Sequence, residues 1–203
     1  MAANRLTRAE QVERNRGQVL DAARRVFLRR GFAGASLEAI ADEAGFSKGV
    51  VYSQFAGKSD LFLALLEARI TERAEENEVV AATAAGLAGL HALLGVNARH
   101  TEESGDWSRL LIEFRVVATR SPEVNRRYRE LHERALTRFA ETVRDVLARG
   151  GLASVQPPRT FAELIFALDA GWVLEQASGT SELSREVLVE LITRSVVPLA
   201  GRP

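Results

Sequence analysis

Apolar residues recur at helical spacing along nearly the whole chain, and no segment shows the strict alternation of a half-buried strand. Val12, Val19, Ala23, Val26 and Phe27 share one face after Thr7-Arg8-Ala9-Glu10, a pattern that fits a reciprocal N-terminal cap. Gly31 is the expected stop of that helix. Two short amphipathic segments follow, with Leu37, Ile40, Ala41 and Ala44 after Ser36, and Val50, Val51 and Phe55 after Ser47. Each serine can accept a hydrogen bond from the free amides of the first turn. Gly45 lies between them and suits a sharp turn that needs positive φ, and Ala41 is small where the two axes should cross. A fourth helix is expected from Ser59-Asp60 through Leu61, Phe62, Leu65, Leu66 and Ile70 to the acidic run Glu72 to Glu78. Beyond it the pattern predicts helices near 79–102, 105–120, 123–149, 159–178 and 182–199. Breaks fall at Ser104-Gly105, Ser121-Pro122, Gly150-Gly151 through Pro157-Pro158, and Gly179-Thr180-Ser181. The expected fold class is all-α.

Composition removes several kinds of chemistry. The chain has no cysteine, which excludes disulfides and thiolate zinc sites. His91, His100 and His132 are scattered without metal-ligand spacing, and neither a glycine-rich phosphate loop nor a nucleophile motif is present. No catalytic residue, metal or cofactor is expected, and the chain does not read as an enzyme. The N-terminal stretch lacks the apolar core of a signal peptide, and no later run is apolar over about 18 residues. A cytoplasmic location without a membrane partner is the expectation. The balance of 27 basic and 27 acidic residues hides an asymmetry: residues 1–60 carry 10 Lys+Arg against 7 Asp+Glu. Attraction to phosphate is therefore local to the N-terminal part. The only lysines, Lys48 and Lys58, both lie in the stretch around the two short helices.

Two short helices joined by a glycine turn are the pattern of a helix-turn-helix, whose second helix presents its N-terminal residues to the major groove. The stretch SLEAIADEAGFSKGVVYSQFAGKSDLF resembles the DNA-binding segment of the TetR family of bacterial transcriptional regulators. Ile40-Ala41, Ala44-Gly45, Ser47-Lys48-Gly49, Tyr52, Phe55, Lys58 and Leu61-Phe62 carry the resemblance, which extends over roughly residues 16–66 with the preceding helix. Ser53-Gln54 departs from the bulkier pair of many relatives, so no base preference carries over. The resemblance implies a helix-turn-helix DNA-binding domain over residues 1–58 and a helical ligand-binding and dimerisation domain over 59–203. It further implies a homodimer that binds a palindromic double-stranded operator, usually as a repressor, and a small-molecule effector that releases it.

Candidate residues follow from these expectations. Lys48 can donate to guanine or phosphate, Gly49 lets the backbone approach DNA, and Val50 can touch a thymine methyl. Ser47, Ser53 and Gln54 lie beside them, and Tyr52, Lys58 and Ser36 match family positions that meet phosphates. Arg5 and Arg8 precede or open the first helix, where a basic arm can enter the adjacent minor groove and a frayed, solvated tail is the favoured alternative. For ligand binding, Trp107, Leu111, Phe114 and Arg115 stand on one helix, His132 on the next, and Phe166, Asp169 and Trp172 on the penultimate one. Asp169 sits in an apolar run and needs a partner, for which a ligand cation, Arg115 or His132 qualifies. The penultimate segment is apolar around most of its circumference, and Leu183, Val187, Leu188, Leu191 and Ile192 give the last one a broad apolar face. A helix apolar on both sides can face its own domain and a second subunit, or lie at the centre of a monomeric bundle; the resemblance to the family implies dimerisation through the last two helices. A constitutive DNA-binding protein without effector and a helical ligand carrier are the alternative functions, and activation is the alternative to repression.

Overall fold

The computed structural model describes residues 7–103, 105–179 and 181–196. Arg5, the turn residues Ser104 and Thr180, and the expected end of the last helix at 197–199 lie outside the described residues. The described chain forms α1 (Arg8–Gly34), α2 (Leu37–Ala44), α3 (Lys48–Tyr52), α4 (Lys58–Thr83), α5 (Gly86–Glu103), α6 (Gly105–Ala118), α7 (Pro122–Arg149), α8 (Pro158–Ala177) and α9 (Arg185–Val196), with no strand among these residues. The all-α expectation holds. None of the described helices is long and apolar enough to cross a membrane, and the described residues contain no cluster of three metal-ligating side chains.

Local chemistry accounts for most boundaries. Thr7 Oγ1 accepts from the Glu10 amide at 3.3 Å while Glu10 Oε2 accepts from the Thr7 amide at 2.7 Å, closing the reciprocal cap of α1. The hydrogen bond from the Thr7 amide holds the Glu10 carboxyl below the ordinary carboxylate range. Gly31, expected to end the helix, instead breaks its direction with φ 68° and ψ 174°, and a last turn continues to Gly34.

The acidic run proved to be a solvent face and not a terminus. Glu72, Glu75 and Glu78 recur every third residue and are exposed, while Ala74 and Asn77 between them are buried, so α4 continues to Thr83. A Cβ on Gly150 would stand 2.3 Å from the Gly86 Cα, so α5 begins where two backbones meet with room for hydrogen only.

The chain divides into two compact units, and α4, α6 and α7 each contribute to both. The first comprises residues up to Ala68 together with Glu113–Tyr128. Its centre is aromatic: the Phe62 ring lies 4.3 Å from Phe114, 5.3 Å from Phe27 and 5.5 Å from Phe32, centroid to centroid. Each such pair adds about 0.5–1.5 kcal/mol to the burial of the rings themselves. The second unit comprises Arg69–Ile112 and Arg129 onward. There α5 packs against α9, and Leu90, Leu93, Leu94, Phe139, Val143, Val146, Phe161, Leu188 and Ile192 form one core.

Candidate nucleic-acid interface

The helix-turn-helix is built from the interior outward. Ile40, Ala41 and Val51 are completely buried and Phe55 nearly so, which fixes α2 and α3 against α1 and leaves their other faces to solvent. Gly45 adopts the left-handed conformation at φ 72°, and the amide of Phe46 reaches back to the Ala41 carbonyl at 3.0 Å. This pairing satisfies the last carbonyls of α2 while turning the chain into α3. Polar contacts then tie the elements together. Glu43 of α2 accepts from Arg25 Nε at 2.7 Å and from Arg29 Nη2 at 2.5 Å on α1. Those bonds, Arg29's foremost, draw the Glu43 carboxyl below its usual range. Arg16 lies 4.8 Å over the Phe55 ring.

Of the sequence-predicted DNA contacts, Ser47, Lys48, Gly49, Tyr52 and Ser53 are exposed, and Ser36, Val50, Gln54 and Lys58 are partly buried. All nine lie in the first unit, between α1 and the start of α4. Ser36 caps α2 as expected, accepting from the Ala39 amide at 3.2 Å. Ser47 occupies the same position before α3 without making the cap bond, so its hydroxyl is uncommitted by α3. The two serines differ in backbone φ, −136° against −67°, and only the first aims its oxygen at the third amide. The Tyr52 hydroxyl donates to Glu38 Oε1 at 2.8 Å, which fixes the ring at the outer edge of α3 and raises the phenol's pKa. Ser53 Oγ donates to the Val50 carbonyl. Gln54, expected on the exposed side, turns its Oε1 inward, where it is buried without a hydrogen-bond donor.

Lys58 is committed differently from the others. Its ammonium donates to the carbonyls of Ala33 at 3.1 Å and Ala35 at 2.9 Å and lies 4.7 Å over the Phe32 ring. Partial burial lowers its pKa. The side chain thereby staples the α1–α2 connection to the start of α4.

The predicted ligand residues divide between the units. Phe114 and Arg115 belong to the first, where Phe114 is wholly buried among Phe32, Phe62 and Tyr128 and Arg115 is exposed with its guanidinium 5.8 Å from the Tyr128 ring. Trp107, Leu111, His132, Phe166, Asp169 and Trp172 belong to the second. Within it the His132 and Phe166 rings meet edge to face at 5.8 Å, and Arg69 lies 5.4 Å over Trp107. Asp169 has an intramolecular partner that the sequence reading did not consider: it accepts from Arg185 Nη2 at 2.5 Å. Arg185 is 6% exposed and stacks 4.1 Å over the Trp172 ring, whose Nε1 donates to the Leu183 carbonyl. A second polar group also escaped the sequence reading. Arg73 Nη2 donates to Asn97 Oδ1 at 2.7 Å, and Asn97 Nδ2 donates to Asn77 Oδ1 at 3.0 Å. The signal existed, since Arg73 and Asn77 extend the Leu66-Ile70 face at helical spacing, and Arg185 opens the face of Leu188, Val189 and Ile192.

Comparison with known proteins gives this geometry a context. The family model for bacterial regulatory proteins of the tetR family matches residues 19–65, and that for the C-terminal part of BetI-type transcriptional repressors matches residues 87–200. The HTH-type transcriptional repressor BepR of Brucella suis biovar 1 is 30% identical over 182 residues, covering 86% of each chain. A transcriptional regulator from Saccharomonospora viridis, solved in complex with choline, superposes with a TM-score of 0.73 at 20% identity over 91% of this chain and 98% of its own. FadR from Bacillus subtilis, solved with stearoyl-CoA, gives 0.70 at 17% over 90% and 97%. These last two share the fold. With both parts of the chain matched, and a relative named as a repressor matched over 86% of its length, this protein belongs to the TetR family of bacterial transcriptional regulators.

Proposed function

We propose that the chain is a repressor that binds a palindromic operator as a homodimer and leaves it when a small molecule occupies the second unit. The observation that carries this reading is the outer edge of α3: Ser47, Lys48, Gly49, Tyr52 and Ser53 face solvent while Val51 and Phe55 hold the helix from behind. Lys48 meets guanine and the neighbouring phosphate, Gly49, Val50 and Ser53 meet base edges, Gln54 does so once its buried amide oxygen turns outward, and Ser36, Ser47 and Tyr52 meet phosphates. Lys58 keeps the entry to the motif in shape.

Support for the homodimer comes from the last two helices. Leu164 and Leu174 of α8 are 47% and 55% exposed, and Val187 and Leu191 of α9 are 47% and 57% exposed. Ala167 and Gly171 are exposed between the two leucines at helical spacing, leaving room for close helix approach. A two-fold axis through this face buries the same residues on both subunits. It also sets two recognition helices for half-sites about 34–36 Å apart, the distance an effector must spoil to release DNA. Support for an effector comes from the two fold neighbours, which were solved with choline and with stearoyl-CoA.

The test is selection of genomic fragments by the purified protein, followed by binding assays on the recovered site. Lys48→Ala is expected to weaken operator binding by about 1–3 kcal/mol. Leu191→Glu is expected to give a monomer by sedimentation, with operator affinity lost although the helical spectrum is kept. A palindromic site that is not enriched, or a Leu191→Glu protein that remains dimeric, refutes the corresponding half of the proposal.

A further inference from the structure

An acidic side chain stands among the residues expected to meet DNA. Glu38 lies partly buried in the first turn of α2, and its Oε1 accepts from the Tyr52 hydroxyl at 2.8 Å. Lys48 and Tyr52 are the first and last residues of α3, about one turn apart on the same side of the helix, and both are exposed. The Glu38 carboxyl is held below the ordinary carboxylate range by its own amide and the Tyr52 hydroxyl, with smaller help from Ser36 and the charge of Lys48. At neutral pH it is ionised, so it accepts hydrogen bonds and donates none. In the free protein a carboxylate thus occupies the hydroxyl that is expected to meet a phosphate.

We propose, resting on the DNA-binding reading above, that Glu38 is a specificity-determining residue: its carboxylate holds the Tyr52 hydroxyl until DNA displaces it, and a cytosine amino group in the operator supplies the donor it then lacks. A phenol has one proton, and here Glu38 receives it. A phosphate oxygen arriving at Tyr52 meets lone pairs until the hydroxyl turns away from the carboxylate. Turning exchanges one charge-assisted bond for another, so Tyr52 gains little, and Glu38 loses its donor with a second negative charge beside it. On arbitrary DNA that loss stands. On the operator the N4 amine of cytosine donates to the carboxylate from the major-groove edge, whereas guanine presents only acceptors there and adenine sets an acceptor beside its amine. An unpaired charge raised against the wrong partner lowers affinity for all DNA and lowers it least for the right sequence.

The experiment titrates the full-length protein against the selected operator and a scrambled duplex of the same length, by anisotropy at several salt concentrations. Glu38→Gln and Glu38→Ala are expected to bind the scrambled duplex about fivefold tighter per half-site, the effect of removing one like-charge contact at about 4 Å in water. Operator affinity should rise less or fall, so the ratio of the two narrows. Among single base-pair changes in the operator, the position whose preference relaxes in Glu38→Ala should be a C·G pair. Glu38→Asp keeps the charge and should stay within about twofold of wild type on the scrambled duplex. Glu141→Gln, the same change of net charge at an exposed position of α7, should move neither affinity. Tyr52→Phe should change binding to the scrambled duplex by less than about twofold in wild type and by at least about fivefold in Glu38→Ala, where the freed hydroxyl donates to phosphate. Unchanged or weaker binding of the scrambled duplex by both Glu38 variants, an equal gain on both duplexes, or an additive effect of Tyr52→Phe overturns the assignment and leaves the DNA-binding reading standing. If the wild-type protein enriches no site and its binding ignores Lys48→Ala, that reading falls and takes the Glu38 assignment with it.

Discussion

Replacing Lys58 with methionine separates a structural lysine from a DNA-binding one. Lys58→Met keeps the aliphatic stem over Phe32 and removes the ammonium that bonds the carbonyls of Ala33 and Ala35. Ala33 is exposed, so water replaces the lost donor there, whereas Ala35 is only 4% exposed and its carbonyl is left unpaired. The cost is that of one charge-assisted hydrogen bond, about 1.5–3 kcal/mol. The lost cation–π contact adds about 0.5–1 kcal/mol, and relief of the ammonium's desolvation returns a similar amount. A domain of this size shifts by about 2–4 °C per kcal/mol, so the thermal midpoint should fall by about 3–12 °C. The slope of log affinity against log salt should barely change. Lys48→Ala should do the opposite, leaving the midpoint in place and flattening the slope by about 0.9, the value for one phosphate contact. Circular dichroism melts and anisotropy titrations at several salt concentrations give both quantities. A Lys58→Met protein with wild-type stability and a salt slope reduced by a full phosphate contact would falsify the staple and make Lys58 a backbone contact.

Other consequences are equally direct. Gly150→Ala places a methyl group 2.3 Å from the Gly86 Cα, and overpacking of backbone on backbone should cost about 2–3 kcal/mol. Gly57→Ala, where a methyl meets nothing within 4 Å, is the control and should be neutral to slightly stabilising in urea denaturation. Phe62→Ala empties the centre of the aromatic cluster and should lower stability by about 3–5 kcal/mol, read from the same urea curves; a loss below about 1 kcal/mol would contradict the packing described. Arg29 and Arg25 hold the Glu43 carboxyl below its ordinary value of about 4.5, so its contribution is present above that pH and disappears as the pH falls through the lower folded value. The stability gap between wild type and Glu43→Gln should therefore be open at pH 7 and close in melts taken progressively below about 4.5.

The helix-turn-helix was legible because its signals are local. Thr7 with Glu10, Ser36 and Gly45 act through hydrogen bonds or dihedral angles within a few residues, and the folded chain makes each of them. Ser47 shows the limit of that logic: its backbone angles are close to those of Thr7, which does cap its helix, yet the Ser47 hydroxyl makes no bond to α3. The end of α4 was not legible, because the acidic run that looked like an end lies along one exposed stripe, and the close approach at the start of α5 joins Gly86 to Gly150, 64 residues away. Asp169 could be recognised as a group in need of a partner, but the pattern alone did not name Arg185 among the 25 arginines. Candidate ligand residues drawn from α6 also fell on both sides of a unit boundary that passes through the helix between Ile112 and Glu113. Periodicity gives a residue's face and says nothing about which core that face joins.

The amide of Phe32, just past the bend at Gly31, donates to Glu113 Oε2 at 2.9 Å, and Phe114 beside it closes the aromatic cluster. The DNA-reading part of this protein is therefore not a detachable cassette. A chimera that grafts residues 1–68 onto another regulator would deprive Phe32 and Phe62 of the Phe114 ring and the Phe32 amide of its acceptor. An exchange that keeps the first unit whole must carry Glu113–Tyr128 along with it, two cuts in the sequence for one piece of the fold.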